Sequence, residues 1–264
     1  MASNPPGKCC TVGVKHEGEP TGSTIKVGQY EAYVAEPKGS NKHDGVALLY
    51  IPDVFGIWQN SKLMADQFAA NGYYTIIVDI FNGDPIPMPM PAGLDLMQWL
   101  GGGSDGKNPH TKETVDPIVQ LSLNWLKEQG FKKIGAMGYC FGAKVCLPGA
   151  SSRATTFLYV ARNYKNGIDV GYMAHPSFVD EDELASITGP LSIAAAETDE
   201  IFPADKRHKS EEILQKTGLP YQLFLYSGTE HGFSVRCDVS KRPQKFAKEQ
   251  AFLQAVSWFD EYLL

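Results

Sequence analysis

Two short apolar runs joined by a helical stretch constrain this chain more than any other feature. GVALLYIPDV, from Gly45 to Val54, is a continuous apolar run that ends in a turn, and YYTIIVDIF is a second. Runs of this length without alternation suit strands buried on both faces. Between them, SKLMADQFAANG sets Leu63, Met64, Phe68 and Ala69 on one side of a helix that Gly72 closes. Strand, helix and strand in that order predict a parallel βαβ unit, and a parallel sheet needs helices to cover it. The expected class is α/β, with a mainly parallel central sheet flanked by helices.

The same rhythm runs to the end of the chain. ETVDPIVQLSLNWLKEQG predicts a packing helix, with Val115, Ile118, Val119, Ser122, Leu123, Trp125 and Leu126 near helical repeats and Gly130 closing it. KKIGAMG is the next strand, and FGAKVCLPGA is a small-residue helix that Pro148 ends or kinks. VGYMAHP, PLSIAAAETDE, a Lys- and Glu-rich helix near 203–217, YQLFLYSG and a final helix reaching Trp258 and Leu263 complete the sandwich. Earlier, YEAYVAEP at 30–37 alternates in part and predicts an antiparallel or edge strand. These elements form one domain over 25–264 after a polar segment, 1–24. The Pro- and Met-rich NGDPIPMPMPAG opens a stretch, 82–110, that cannot be an interior strand and is too apolar for a solvated linker. Either it covers a pocket or its methionines pack on the domain surface.

Composition narrows the function. The chain of 264 residues carries a net charge of −6 without basic clusters, which disfavours a nucleic-acid partner. It has no apolar run of membrane-spanning length and no secretory or organelle signal, so the expected address is cytoplasmic. Five cysteines, Cys9, Cys10, Cys140, Cys146 and Cys237, are odd in number and irregularly spaced, and read as free thiols. Adjacent Cys9 and Cys10 could form a redox or metal pair, but no second cysteine pair completes a zinc pattern, so they are expected in a solvated or partly packed segment, with Cys146 buried farther along the helix after Cys140. No zinc spacing, H-E-x-x-H pattern or dinucleotide fingerprint is present, so neither a metal nor another cofactor is expected.

Gly138-Tyr139-Cys140-Phe141-Gly142 occupies a strand-to-helix junction. Glycines two positions either side of Cys140 permit a sharp bend that holds its side chain above the sheet, and helix-start N–H groups there favour a thiolate. A nucleophile needs a base, and the base an orienter. Asp199 follows the strand LSIAAA in ETDEIFP, with Glu197, Glu200 and Glu230 as competitors, and His231 follows YQLFLYSG in TEHGFSVR. His43, His110 and His208 lie in polar segments and are expected to face solvent. His175, in YMAHPSF, could line the pocket or be a satisfied structural histidine.

GYCFGAK, ETDEIFP, HGFSVR and the earlier YIPDVFGIW together resemble the dienelactone hydrolase family of α/β-hydrolases across roughly 25–264. The resemblance implies a Cys140, His231 and Asp199 triad that opens a cyclic enol ester. It places Asp53 where a family acid contacts the resting thiol, although bacterial members have the longer glutamate there. It also assigns Arg236 to a substrate carboxylate, the alternative being a surface pair with Asp238. A second carboxylate-binding arginine is missing from VDIFNGDPIPMP. The expected chemistry is attack on a lactone or small ester by Cys140, with the N–H groups of Phe141 and Val54 holding the oxyanion. The partner is then a small lactone or ester, with or without a carboxylate. Alternatives are a different ester or thioester cut by the same triad, or a noncatalytic sensor on the hydrolase scaffold.

Overall fold

The computed structural model describes residues 1–143 and 167–264. Its eight strands are β1 (Ser23–Val27), β2 (Tyr30–Ala35), β3 (Val46–Ile51), β4 (Tyr74–Val78), β5 (Lys133–Tyr139), β6 (Val170–Ala174), β7 (Leu191–Thr198) and β8 (Tyr221–Glu230). They form one sheet in the order β1-β2-β4-β3-β5-β6-β7-β8. From β4 to β8 every neighbouring pair is parallel, whereas β1 and β2 run antiparallel. The described helices are α1 (Gln59–Ala70), α2 (Leu96–Gly102), α3 (Lys112–Glu128), α4 (Glu181–Ala185), α5 (Ala204–Thr217), α6 (Phe233–Arg236) and α7 (Arg242–Leu263), with single 3₁₀ turns at Lys8–Thr11 and Cys140–Ala143. This is the α/β-hydrolase architecture. The predicted helix after the nucleophile, with Cys146 and Pro148, lies outside the described residues.

The apolar run in β3 is buried at all six positions because each face meets its own core. Ala47, Leu49 and Ile51 join the cluster containing Val115, Ile118 and Leu123 of α3, and Val46, Leu48 and Tyr50 join that of Met64 and Phe68 of α1 and Phe259 of α7. Period-two alternation therefore divides a continuous apolar strand between two cores. The predicted βαβ unit is β3-α1-β4, with Leu49 in parallel register with Ile76. YEAYVAEP is antiparallel as expected, but interior: β1 is the edge. STIKV buries only Val27, so it offers no apolar run to read.

The 82–110 stretch folds onto the sheet. Ile86 N–H bonds to Val54 O at 2.9 Å, and Met88 and Met90 are half-buried against the core. His110 corrects the solvent-facing expectation: it is buried, bonded to Asp84 Oδ2 at 2.9 Å and stacked 4.3 Å from Trp99. Its polar neighbours in sequence conceal an aromatic pocket supplied by residues at a distance. Trp99 and His110 both pack on Phe81, which lies 5.1 Å from Phe141, so the stretch buttresses the residue beside Cys140.

Candidate active site

Five consecutive sheet positions deliver the site. The parallel order β3-β5-β6-β7-β8 brings their carboxyl ends together, and these carry Asp53, Cys140, His175, Asp199 and His231 respectively. Cys140 leaves β5 with φ +52°, a left-handed conformation that non-glycine residues adopt only when the surroundings enforce it. Both motif glycines are needed for close approach. A Cβ on Gly138 would lie 2.8 Å from Ala143 Cα, and one on Gly142 would overlap the carbonyl of Ile51 and lie 2.6 Å from Pro52 O. The Cys140 turn thus rests directly on the backbone leading to Asp53 and Val54.

A continuous line of contacts follows. His231 Nε2 is 3.1 Å from Cys140 Sγ, and its Nδ1 is 2.9 Å from Asp199 Oδ2. Asp199 Oδ1 accepts the N–H groups of Ile201 and Phe202 at 2.8 and 3.0 Å, which aim its carboxylate at the ring. Of the four acids open from sequence, Asp199 is the one that meets His231. Glu197 instead accepts from Gly228 N–H and Ser227.

Sequence reasoning missed Cys10. Expected in a solvated or partly packed segment, it is fully buried, with Sγ 3.3 Å from Cys140 Sγ and 3.5 Å from His231 Nε2. The N-terminal segment is a strap across the site. Ser3 and Asn4 N–H groups bond to Val179 and Ile201 carbonyls at 2.9 and 2.6 Å, and beyond Cys10 the Val14 N–H bonds to Arg236 O at 2.9 Å. Asn60 secures that end by donating to Val14 O and Val235 O at 2.9 and 3.0 Å. The adjacent Cys-Cys pair was the only signal, and its partner lies 130 residues away.

Arg236 and Asp53 pair with each other. Arg236 is 2 % exposed, and its Nη1 donates to Asp53 Oδ2 at 2.7 Å while Nε and Nη2 donate to the strap carbonyls of Val12 and Cys9 at 2.9 and 3.3 Å. The surface pairing with Asp238 is therefore not what forms, because the short helix α6 turns Arg236 inward. Asp53 Oδ1 accepts Phe55 N–H at 3.2 Å, closing the local turn, and among the described residues no hydrogen bond joins Asp53 to Cys140. The shorter side chain is already engaged. His175 is buried behind His231, with Nε2 2.8 Å from Ser234 Oγ and its ring 5.0 Å from that of His231, while its Nδ1 has no hydrogen-bond partner among the described residues.

These surroundings set the charges. Burial opposes ionisation of Cys140, but the Cys10 hydrogen bond, His231 and Arg236 outweigh it and hold the thiol well below its ordinary value. Burial likewise opposes protonation of His231, yet Cys140 and Asp199 raise it to about 10. Both shifts favour a thiolate and an imidazolium over the neutral pair. Cys10 is pushed well above the thiol range by burial and then by its hydrogen bond with Cys140, which favours the protonated thiol at Cys10. Burial lifts Asp53 to about 6 despite Arg236, and burial, reinforced by His231, keeps His175 neutral.

The sign of the pH dependence follows. A depressed thiol ionises at neutrality and loses its charge as pH falls through the lowered value, whereas the raised imidazole loses its proton as pH rises through about 10. At pH 7 the ultraviolet thiolate absorbance of the native protein should exceed that of Cys140→Ala and converge with it on acidification. Equal absorbance at pH 7 would mean that no such pair exists.

The cleft at this end of the sheet, of ≈ 380 Å³, is lined by Cys9, Val12, Glu230, His231 and Arg236. Cys140 itself is fully buried beneath the strap. Among the described residues one cluster has donor atoms close enough to hold a metal ion, Cys10, Cys140 and His231, whose donor atoms all lie within 4.8 Å of one another. Three distant segments supply it, which is why no sequence spacing announced it. Also among the described residues, no helix is long and apolar enough to cross a membrane.

A model of the dienelactone hydrolase family matches residues 30–263. The chain belongs to the dienelactone hydrolase family. Hydrolase pyvD of Aspergillus violaceofuscus is 44 % identical over 266 residues, covering 100 % of this chain and 99 % of that protein. Hydrolase tropI of Talaromyces stipitatus is 46 % identical over 268 residues, with coverage of 100 % and 99 %. A Klebsiella pneumoniae structure assigned to the dienelactone hydrolases superposes with a TM-score of 0.70 at 15 % identity, covering 92 % of this chain and 99 % of that one. That last likeness concerns the fold. The family assignment makes this chain a hydrolase of the dienelactone hydrolase type.

Proposed function

We propose that the protein opens a lactone or cleaves a small ester through a thioester formed on Cys140. The observation that supports this most is the unbroken contact line from Asp199 through His231 to Cys140, at 2.9 and 3.1 Å. The Cys140 thiolate attacks the carbonyl carbon, and the oxyanion is held by the N–H groups of Phe141 and Val54, on the two backbones that Gly142 lets touch. The His231 imidazolium protonates the departing alkoxide or enolate and then, as a neutral base, takes a proton from the water that attacks the thioester. Asp199 keeps Nδ1–H directed away from the reaction, leaving Nε2 for proton transfer.

Specificity rests with Arg236. Its guanidinium could take a substrate carboxylate only in competition with Asp53 and two strap carbonyls, so a carboxylated substrate must displace existing bonds and shift the strap. With the second carboxylate-binding arginine absent from VDIFNGDPIPMP, another small ester or thioester turned over by the same triad is the competing reading. The complete triad disfavours a noncatalytic sensor. The test is a panel of lactones, aryl esters and thioesters with the native protein beside Cys140→Ala. Turnover of at least one class that Cys140→Ala abolishes is expected, and turnover that survives the substitution would refute the reading.

A further inference from the structure

The hydrolytic mechanism uses one thiol, yet the site contains two in contact. Cys10 Sγ lies 3.3 Å from Cys140 Sγ, and both residues are fully buried. Cys10 occupies space beside the nucleophile that an incoming carbonyl needs, and nothing in acyl transfer calls for it. It is also held in place. On one side the strap is fixed to Val179 and Ile201, with Val179 N–H also donating to Ser3 Oγ at 2.6 Å; on the other, Val14 is fixed to Arg236 and Asn60. The ordering cost of bringing residues so distant in sequence together is already met in the folded chain.

We propose that Cys10 and Cys140 are a covalent modification site, joined by a peroxide into a reversible disulfide that fastens the strap over the nucleophile. In the first step the Cys140 thiolate attacks the peroxide: the O–O bond breaks, an S–O bond forms, the sulfur loses two electrons and hydroxide or alkoxide leaves, giving a sulfenic acid. In the second step the Cys10 sulfur attacks the Cys140 sulfur. The S–S bond forms, the S–O bond breaks, and the Cys10 proton leaves with the hydroxyl as water. His231 Nε2, 3.5 Å from Cys10 Sγ, can carry that proton once it is neutral. A dithiol returns the two electrons by exchange and becomes a disulfide itself. The sulfurs need to close by only about 1.2 Å to reach bonding distance.

Cys9 is the rival partner. It is half-buried, lines the outer cleft, and is lowered to about 7 chiefly by its hydrogen bond with Cys10. It has no contact with Cys140 comparable to that of Cys10. The site gives Cys10 a protective role as well: a sulfenic acid captured by a neighbouring thiol cannot proceed to the irreversible sulfinic acid.

The experiment treats native protein, Cys10→Ser and Cys9→Ser with a small excess of hydrogen peroxide, alkylates remaining thiols under denaturing conditions, and maps tryptic peptides by mass. Cleavage after Lys8, Lys15, Lys133 and Lys144 places the pair on peptides 9–15 and 134–144. The native protein should yield these peptides linked, two hydrogens lighter than their sum, and dithiothreitol should separate them. Cys9→Ser should retain the link. Cys10→Ser should lack it and instead carry two oxygens on Cys140 that dithiothreitol does not remove. Two results would overturn the inference: sulfinic acid on Cys140 of the native protein as rapidly as in Cys10→Ser, or a link that disappears in Cys9→Ser. The readout is mass, so failure to hydrolyse any ester would leave it intact, and if a variant does not fold, fragmentation of the native linked peptide decides it: the alkyl group on Cys9 supports the inference and the alkyl group on Cys10 overturns it.

Discussion

His231→Ala should lower kcat/KM on the order of 10³-fold while leaving a folded protein. The loss is large because the proposed mechanism gives one ring three tasks: it stabilises the thiolate from 3.1 Å, protonates the leaving group and activates the deacylating water. The fold should persist because Asp199 does not become an orphan. Its Oδ1 keeps the Ile201 and Phe202 amides, which satisfy a buried carboxylate where the imidazolium no longer can. Thermal unfolding and steady-state kinetics on one preparation check both halves. Near-native kcat in a folded His231→Ala protein would remove His231 from the mechanism.

Arg236→Ala should destabilise the protein by about 3–5 kcal/mol, the range for breaking one side of a buried ion pair. Three consequences act together. Asp53, 1 % exposed, loses the partner of its 2.7 Å bond; the strap carbonyls of Val12 and Cys9 lose their donor; and a buried cavity is left. Two glycines are shaped around this side chain. A Cβ on Gly13 would lie 2.7 Å from the Arg236 stem, and one on Gly232 would overlap its guanidinium. The pH dependence gives a separate signature. Asp53 already stands near 6 through burial, with Arg236 pulling it down, so removing the arginine raises it further. A carboxyl raised on folding binds more protons folded than unfolded, so the deficit is complete above its folded pKa and shrinks as pH falls through it. Urea unfolding should therefore show a larger deficit at pH 8 than at pH 5. A deficit under about 1 kcal/mol, unchanged with pH, would indicate that the pair is not buried as described.

The sequence carried the framework well where apolar patterning is local. β3, α1 and β4 could be read because every residue of the strand VALLYI is buried and Gly72 ends the helix. The meeting of Cys140, Asp199 and His231 could be read because they follow three apolar strands, and a parallel sheet collects such ends on one side. What stayed hidden depends on contacts between remote segments. Cys10 looks like part of a polar leader until the strap is seen crossing to Cys140. His110 looks solvated until Phe81 and Trp99 enclose it, and Arg236 has a tempting local partner in Asp238 but finds Asp53 across 183 residues. Local pattern identified the elements and the three residues that meet at 2.9 and 3.1 Å, while the groups around them came from tertiary closure.

Rapid mixing with an activated aryl ester, acid quenching within the first turnover and peptide mass analysis test the central claim most directly. If Cys140 is the nucleophile, the acyl group appears on peptide 134–144 at Cys140, accumulates when deacylation is slowed in His231→Ala relative to acylation, and is absent from Cys140→Ala, which no longer turns over the ester. An acyl group on any other residue, together with unchanged turnover in Cys140→Ala, would contradict it.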